Sequence, residues 1–528
     1  MKILKPLRVV VAVIFMLFTT LLFLHFNSFL KIPNISVILE LQYIPSLLKF
    51  LQGVTWIAFG FVVFTLLALL FGRIYCSFIC PLGILQDFFI RVNRLLSKRN
   101  KNRYSYHQSL KWLRHLITGI ALVSLILGST SLLIWLDPYS HFGRMATHLL
   151  QPIYYFGNNG LALIVNHLGY YGIYRIEVHT FHWATFLFAS FILVLLLALT
   201  RIKGRFFCNS LCPVGGFLSW ISKVSIFRLA FEPSKCISCS RCEKACKAES
   251  IDYKNMKIDF DRCVACYNCV DTCNVNAITY QVRFHKKAAS NSKNETIDSG
   301  KRQTLKSILF AGTALSGLSF TIDKESFSSF VSKNPAKSKL PVLPPGAISI
   351  THFKGTCTAC HLCISACPSN VLQSTFIEFG IDGMFIPKMN FDVNYCQYEC
   401  NLCGDICPTG AIKPLKLEDK KITQLGKVQF IKDNCVVSQL EKDCGACAEH
   451  CPTKAVKMVP YPNKSGKNLF IPEVNTDLCI GCGACEHPCP VRPHKAIYVE
   501  SNPHHLLAQK PKIEKVEQTE SEMEEFPF

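Results

Sequence analysis

Every one of the 28 cysteines in this 528-residue chain falls into a spaced group. Four lie in two CxxxCP pairs, Cys76/Cys80 and Cys208/Cys212, and the remainder form six quartets. The first two quartets, Cys236/Cys239/Cys242/Cys246 and Cys263/Cys266/Cys269/Cys273, have the spacing CxxCxxCxxxC. Three thiolates on a tight loop grip three irons of a cubane, and the fourth cysteine reaches the neighbouring cluster. The spacing therefore assigns Cys236, Cys239, Cys242 and Cys273 to one [4Fe–4S] cluster, and Cys263, Cys266, Cys269 and Cys246 to a second. The proline that usually follows the fourth cysteine is replaced by Lys247 and Asn274. Structural zinc is the rival, but it uses two CxxC halves and has no need of the third close cysteine. A disulfide framework has no reason to repeat such a spacing.

Four further quartets follow: Cys357/Cys360/Cys363/Cys367, Cys396/Cys400/Cys403/Cys407, Cys435/Cys444/Cys447/Cys451 and Cys479/Cys482/Cys485/Cys489. Each ends in Cys-Pro, at Pro368, Pro408, Pro452 and Pro490. The longer first gaps of the second and third cost little closure entropy. Cys357–His361 also spells the CxxCH signal of c-type haem, but haem would leave Cys363 and Cys367 unexplained. His361 is expected to face solvent or to sit behind the cluster. The count is thus six [4Fe–4S] clusters. The CxxxCP pairs are open: if helical, a four-residue gap puts both thiols on one face. Cys76, Cys80, Cys208 and Cys212 could then converge to bind a metal or cluster, perform thiol chemistry, or simply pack.

The elements that must position these groups begin with a hydrophobic first half. Four uncharged stretches, Val9–Leu24, Phe50–Gly72, Leu116–Leu136 and Trp183–Thr200, predict an α-helical membrane domain of four spans. Lys and Arg gather before the first, between the second and third, and after the fourth, which places both ends of this domain in the cytoplasm. That pattern also accounts for the +21 formal charge better than nucleic acid does, since no basic stripe interleaved with aromatics exists. Residues 1–230 form this domain, 231–285 a two-cluster unit, 286–345 a linker, 346–500 a four-cluster unit and 501–528 a Glu-rich disordered tail. The soluble parts are expected to be α+β and ferredoxin-like. GRIYCSFICPLG (72–83) repeats as GRFFCNSLCPVG (204–215), so the membrane unit reads as a duplicated hairpin. Gly300–Lys306 followed by the apolar Ser307–Ile322 looks like a twin-arginine export signal, with Lys301 for its first arginine, and a fifth span. A domain whose clusters are inserted in the cytoplasm must fold before export. No nucleotide-binding glycine fingerprint follows a plausible strand, which argues against flavin or NAD.

The membrane half, with GRxxCxxxCP after the second and fourth spans and then two ferredoxin quartets, resembles the NapH type of membrane quinol dehydrogenase and its NosR and CcoG relatives. The C-terminal half resembles the NapG type of exported four-cluster ferredoxin. The resemblance implies that Cys357, Cys360 and Cys363 share a cluster with Cys489, and Cys479, Cys482 and Cys485 with Cys367. It likewise groups Cys396, Cys400 and Cys403 with Cys451, and Cys435, Cys444 and Cys447 with Cys407; sequence alone leaves neighbour pairing open. The function implied is oxidation of a quinol, menaquinol by preference, by an inner-membrane protein. Electrons would pass through the clusters to a periplasmic reductase or cytochrome, with 346–528 periplasmic and 231–285 cytoplasmic. His25, Asp137, His141, His148, Glu177, His179 and His182 fall near the outer ends of the spans and are candidate proton acceptors. The alternative is a cytoplasm-facing assembly or copper-handling factor for a respiratory oxidase.

Overall fold

The computed structural model describes residues 3–24, 39–53, 59–96, 104–108, 110–169, 171–176, 182–283, 340–462, 466 and 468–510. The first half is helical: α1 (Leu4–Phe23), α2 (Tyr43–Leu51), α3 (Phe59–Phe71), α4 (Pro81–Leu96), α5 (Lys111–Ile126), α6 (Ser131–Leu136), α7 (Pro138–Met145), α8 (Gln151–His167), α9 (Trp183–Lys203) and α10 (Pro213–Ser222). Among the described residues only α1 and α9 are long and apolar enough to cross a membrane. This corrects the expectation of four such spans. The second corresponds to α3, which has 13 residues. The third breaks at Leu127–Thr130, where Gly128 turns left-handed (φ 75°) and the Ser124 hydroxyl donates to the Ser129 carbonyl at 2.9 Å. The expected fifth span and the export motif lie outside the described residues. In exchange, α8 runs 17 residues through a region read as loop.

The inner ferredoxin unit closes with β1 (Phe227–Phe231) antiparallel to β4 (Ile278–Val282), around the short hairpin of β2 (Ile251–Asp252) and β3 (Lys257–Ile258). The four-cluster unit uses three antiparallel pairs: β5 (Leu372–Ser374) with β6 (Pro387–Met389), β7 (Thr423–Phe430) with β10 (Ile497–Leu507), and β8 (Val456–Tyr461) with β9 (Leu469–Val474). Strand β5 is buried throughout, and in the pairing of β7 with β10, Val428 and Val499 face each other in the core.

The two units dock at opposite ends of the helical half. At the start of α1, Lys5 pairs with Asp271 of the inner unit at 2.6 Å. At its end, Leu22 and Phe23 share a core with Tyr139, Phe142 and Cys360 of the four-cluster unit. A helix of 20 residues spans about 30 Å, and this separates the two docking faces.

Candidate iron–sulfur sites and their junctions

The cysteine loops owe their shape to one backbone device. In four of them the residue before the second cysteine and the residue after it are both left-handed: Ser238 and Ser240, Ala265 and Tyr267, Ala359 and His361, Gly481 and Gly483. Such φ values are uncommon for residues other than glycine. Here they coil the chain around the middle thiol so that three thiols point to one centre.

The cavities then show which fourth thiol joins each loop. Cys263, Cys266 and Cys269 share one with Cys246, the grouping the spacing predicts. In the first quartet Cys242 lies beside Cys236 and Cys239. In the four-cluster unit, Cys407 joins Cys357, Cys360 and Cys363, and Cys367 joins Cys396, Cys400 and Cys403. Cys451 joins Cys479, Cys482 and Cys485, and Cys489 joins Cys435, Cys444 and Cys447. The outside-with-outside grouping is therefore corrected to neighbour pairing for all four. The reason is local: Leu362–Ala366, which leads into Cys367, packs against Leu402–Asp405, which leads into Cys407, so each fourth cysteine lies beside the adjoining quartet. Burial pushes the Cys263, Cys360, Cys447 and Cys482 thiols up to about 12, so these sites favour thiolate only beside a cation such as iron. The amide of Cys396 donates to the Cys482 carbonyl at 2.9 Å, which joins the two halves of the unit cluster to cluster.

The CxxxCP thiols are all buried and share one core. They do not lie in pairs on one helix face. Pro81 and Pro213 start new helices and push the preceding cysteine out of helical geometry, as Cys212 shows (ψ 120°). Cys212 Sγ instead caps α10, accepting from the Gly215 amide at 3.4 Å. The two repeats interlock: Arg73 donates to the Cys208 carbonyl at 2.8 Å and Arg205 to the Cys76 carbonyl at 2.6 Å. A Cβ at Gly83 would strike the Cys76 carbonyl oxygen, and one at Gly215 that of Cys208, so both positions require glycine. Among the described residues no three His, Cys, Asp or Glu side chains are placed to hold a single metal ion. A tetrahedral ion would need thiols within about 4 Å of one another, whereas a cubane holds them further apart.

Beneath these thiols Asp87 receives Arg8 at 2.5 Å, Arg205 at 2.8 Å and Lys247 at 3.3 Å. Burial raises its carboxyl, but Arg205, Lys247 and Arg8 outweigh that and hold it well below the usual carboxylate range. Sequence reasoning missed all four; only the repeated Gly-Arg pointed to Arg205.

At the other end, α7 faces the first outer cluster loop. Asp137 caps α7, accepting from the Ser140 amide at 2.8 Å and its hydroxyl at 2.6 Å. His141 meets the Trp135 carbonyl at 2.8 Å, and His148 Nε2 meets His361 Nδ1 at 2.8 Å. His361 is fully buried, not solvent-facing, and its Nε2 donates to the Phe385 carbonyl at 2.8 Å. Its Nδ1 is then the acceptor and His148 the donor. Asp137 Oδ1, the Tyr139 hydroxyl, Arg144 Nη1 and the Thr147 hydroxyl are buried here without hydrogen-bond partners among the described residues. His182 bonds to Gln373 and lies within electrostatic reach of His148 and His361, while His25, Glu177 and His179 fall outside the described residues.

Loops, cavities and chained docking define an iron–sulfur polyferredoxin. Family models described as a 4Fe-4S dicluster domain match residues 356–411 and 442–492, and models described as a 4Fe-4S binding domain match 52–102, 183–232, 233–249 and 256–279. The ferredoxin-type protein NapF of Escherichia coli is 33% identical over 167 residues, 31% of this chain and 90% of NapF. By that coverage the chain belongs to the NapF family of ferredoxin-type proteins. The ferredoxin-type protein NapG of Escherichia coli is 26% identical over 195 residues, 36% of this chain and 81% of NapG. The methylamine utilization ferredoxin-type protein MauM of Methylophilus methylotrophus is 30% identical over 157 residues, 28% of this chain and 66% of MauM. No solved structure matches. The chain is thus an electron-transfer protein that carries several [4Fe–4S] clusters.

Proposed function

We propose that this chain is a membrane-bound quinol dehydrogenase that passes electrons through [4Fe–4S] clusters to a periplasmic reductase or cytochrome. The observation that carries the reading is the knot of unpartnered polar atoms of Asp137, Tyr139, Arg144 and Thr147, buried against the loop of Cys357, Cys360 and Cys363. Each such atom costs about 1–3 kcal/mol unless something polar meets it. A quinol head group, with two hydroxyls on a flat apolar ring, has donors and acceptors at both ends and a ring for Phe188 and Phe385 to cover.

The clusters, when bound, supply one-electron acceptors along a chain. The protein's own residues bind and deprotonate. Arg144 is braced by carbonyls and by the rings of Phe188 at 5.2 Å and Phe385 at 5.5 Å, and its free Nη1 can hold a quinol oxygen. Asp137 Oδ1 can take one hydroxyl proton, and His148, whose Nε2–H is committed to His361, leaves Nδ1 as an acceptor for the other. The membrane setting is supported by apolar side chains exposed along several helices, among them Val13 and Leu17 of α1, Phe156 and Ile164 of α8, and Phe191 and Val194 of α9. A soluble surface rarely leaves so wide an apolar belt bare.

The test is anaerobic addition of menaquinol to purified full-length protein in detergent, followed by EPR. Reduced-cluster signals should appear, and should form at least tenfold more slowly in Asp137→Asn. Absence of reduction by any quinol overturns the reading.

A further inference from the structure

We infer that the loop joining β5 to β6 is itself a membrane contact: Phe376, Ile377 and Ile381 enter the boundary between lipid headgroups and acyl chains, so the four-cluster unit rests on the bilayer as well as on the helices. The inference rests on the membrane setting of the proposed function and not on its quinol chemistry.

The side chains of this loop sort into two sets. Phe379 turns inward and is buried in the core of the four-cluster unit. Phe376, Ile377 and Ile381 turn outward, and Ile381 is 78% exposed. Three large apolar side chains bare within six residues mark a surface that meets something apolar. The backbone suits such a medium. The Phe376 and Ile377 amides donate to the Glu378 carboxylate at 2.6 and 3.1 Å. The Gly380 amide donates to the Ile377 carbonyl at 2.8 Å, and the Gly383 amide to the Gly380 carbonyl at 3.1 Å. A loop that pairs these amides internally gives up little on leaving water.

Position identifies the occupant. At the start of the loop the Ser374 hydroxyl donates to the Thr185 hydroxyl of α9 at 3.3 Å. At its end the Asp382 carbonyl accepts from the Ser131 hydroxyl of α6 at 3.3 Å. The loop therefore bridges the outer end of α9 and the break between α5 and α6. Those places carry exposed Leu187 on one side and exposed Ile126 and Leu127 on the other. The apolar belt of the helices thus continues onto the loop without interruption, and what covers the one covers the other. Charge points to acyl chains rather than to anionic headgroups as the attraction. Lys388 pairs with Glu378 at 2.8 Å and Lys354 with Asp382 at 2.6 Å, so both lysines already have their anions.

The contact bears on the first outer cluster loop. The Phe376 ring lies 6.3 Å from that of Phe385, which lies 4.6 Å from Phe188 of α9. The Phe385 carbonyl accepts from His361, next to Cys360. Lipid that holds the loop thereby sets the depth of the face on which Cys357, Cys360 and Cys363 stand.

The test uses full-length, cluster-loaded protein, one copy per nanodisc, in phosphatidylcholine that carries a diazirine near the carbonyl end of one acyl chain. After illumination, mass spectrometry should find lipid adducts on residues 376–381 as well as around Leu187 of α9. Replacing half of the lipid by phosphatidylglycerol should leave the loop's yield within about twofold, since acyl contact and not charge makes it. Phe376→Ser/Ile377→Ser/Ile381→Ser should lose adducts on the loop at least tenfold, while it keeps those around Leu187 and about 24 iron atoms per chain. Adducts around Leu187 with none on the loop overturn the inference and leave the proposed function standing. Loop adducts that appear only with the anionic lipid overturn it too, in favour of headgroup attraction. Adducts at neither place overturn the inference and the membrane setting together.

Discussion

At the scale of single residues, the left-handed pairs that flank the second cysteine in four of the loops shape what those loops can hold. Ala359 and His361 coil the chain so that Cys357, Cys360 and Cys363 face one cavity, and Cys407 supplies the last thiol from the next quartet. Ligands of one cluster fail together, and that gives a direct test of the pairing. In Cys360→Ser/Cys407→Ser both changes fall on the same site, so the protein should lose about four iron atoms, measured by metal analysis after anaerobic isolation. Loss of about eight would mean that the two cysteines serve different clusters. The quartets themselves are legible in the sequence because in four of them three ligands crowd into seven residues, and in the other two only the first gap is longer. The fourth ligand is not, since four Cys-Pro dipeptides are alike in sequence and only tertiary packing sorts them. Buried Arg73 and Arg205 show the same boundary. Their repetition is visible in the chain, but the exchange of each onto the other repeat's carbonyl is a property of the folded pair.

At the scale of elements, hydropathy found the helices whose whole surface is apolar and misjudged those interrupted by polar residues. Helix α8 escaped because Gly157, Asn158, Asn159 and Gly160 cut its apolar run; the Asn158 and Asn159 amides bond instead to the carbonyls of Tyr174 and Ile176 at 2.9 and 2.8 Å. The third expected span broke where Thr130 turns to donate to the Lys354 carbonyl at 2.8 Å, a docking need that no periodicity records. The junction of α1, α4 and the inner unit rests on Asp87. Asp87→Asn keeps the shape and leaves Arg8, Arg205 and Lys247 buried without their anion, a loss of about 3–5 kcal/mol. The apparent Tm in detergent should fall by several degrees, and Arg8→Met added to Asp87→Asn should restore part of it. In the wild type, a carboxyl held below its unfolded value contributes its stability above about pH 4 and loses it as the pH falls further. The acid limb of the wild-type melting curve should therefore flatten in Asp87→Asn. Equal acid sensitivity in both proteins would remove Asp87 from this role.

At the scale of the whole molecule, the helical half acts as a spacer of about 30 Å, which is also the thickness of a bilayer's hydrocarbon core. One helix, α1, meets the inner unit through Lys5 and the outer unit through Phe23. If its exposed apolar face lies in lipid, the two ferredoxin units stand on opposite sides of the membrane. The bases support one orientation: Lys5 and Arg8 at the start of α1, Lys111 and Arg114 at the start of α5, and Arg201 and Lys203 at the end of α9 all gather at the inner-unit end. Protease added to intact spheroplasts should then cut within 340–510 and spare 227–283, and cut both once the membrane is opened. Protection of both segments in intact spheroplasts would put every cluster in the cytoplasm. The separation of the docking faces by α1 would then have no membrane to serve, and the assembly-factor reading would gain what the export reading lost.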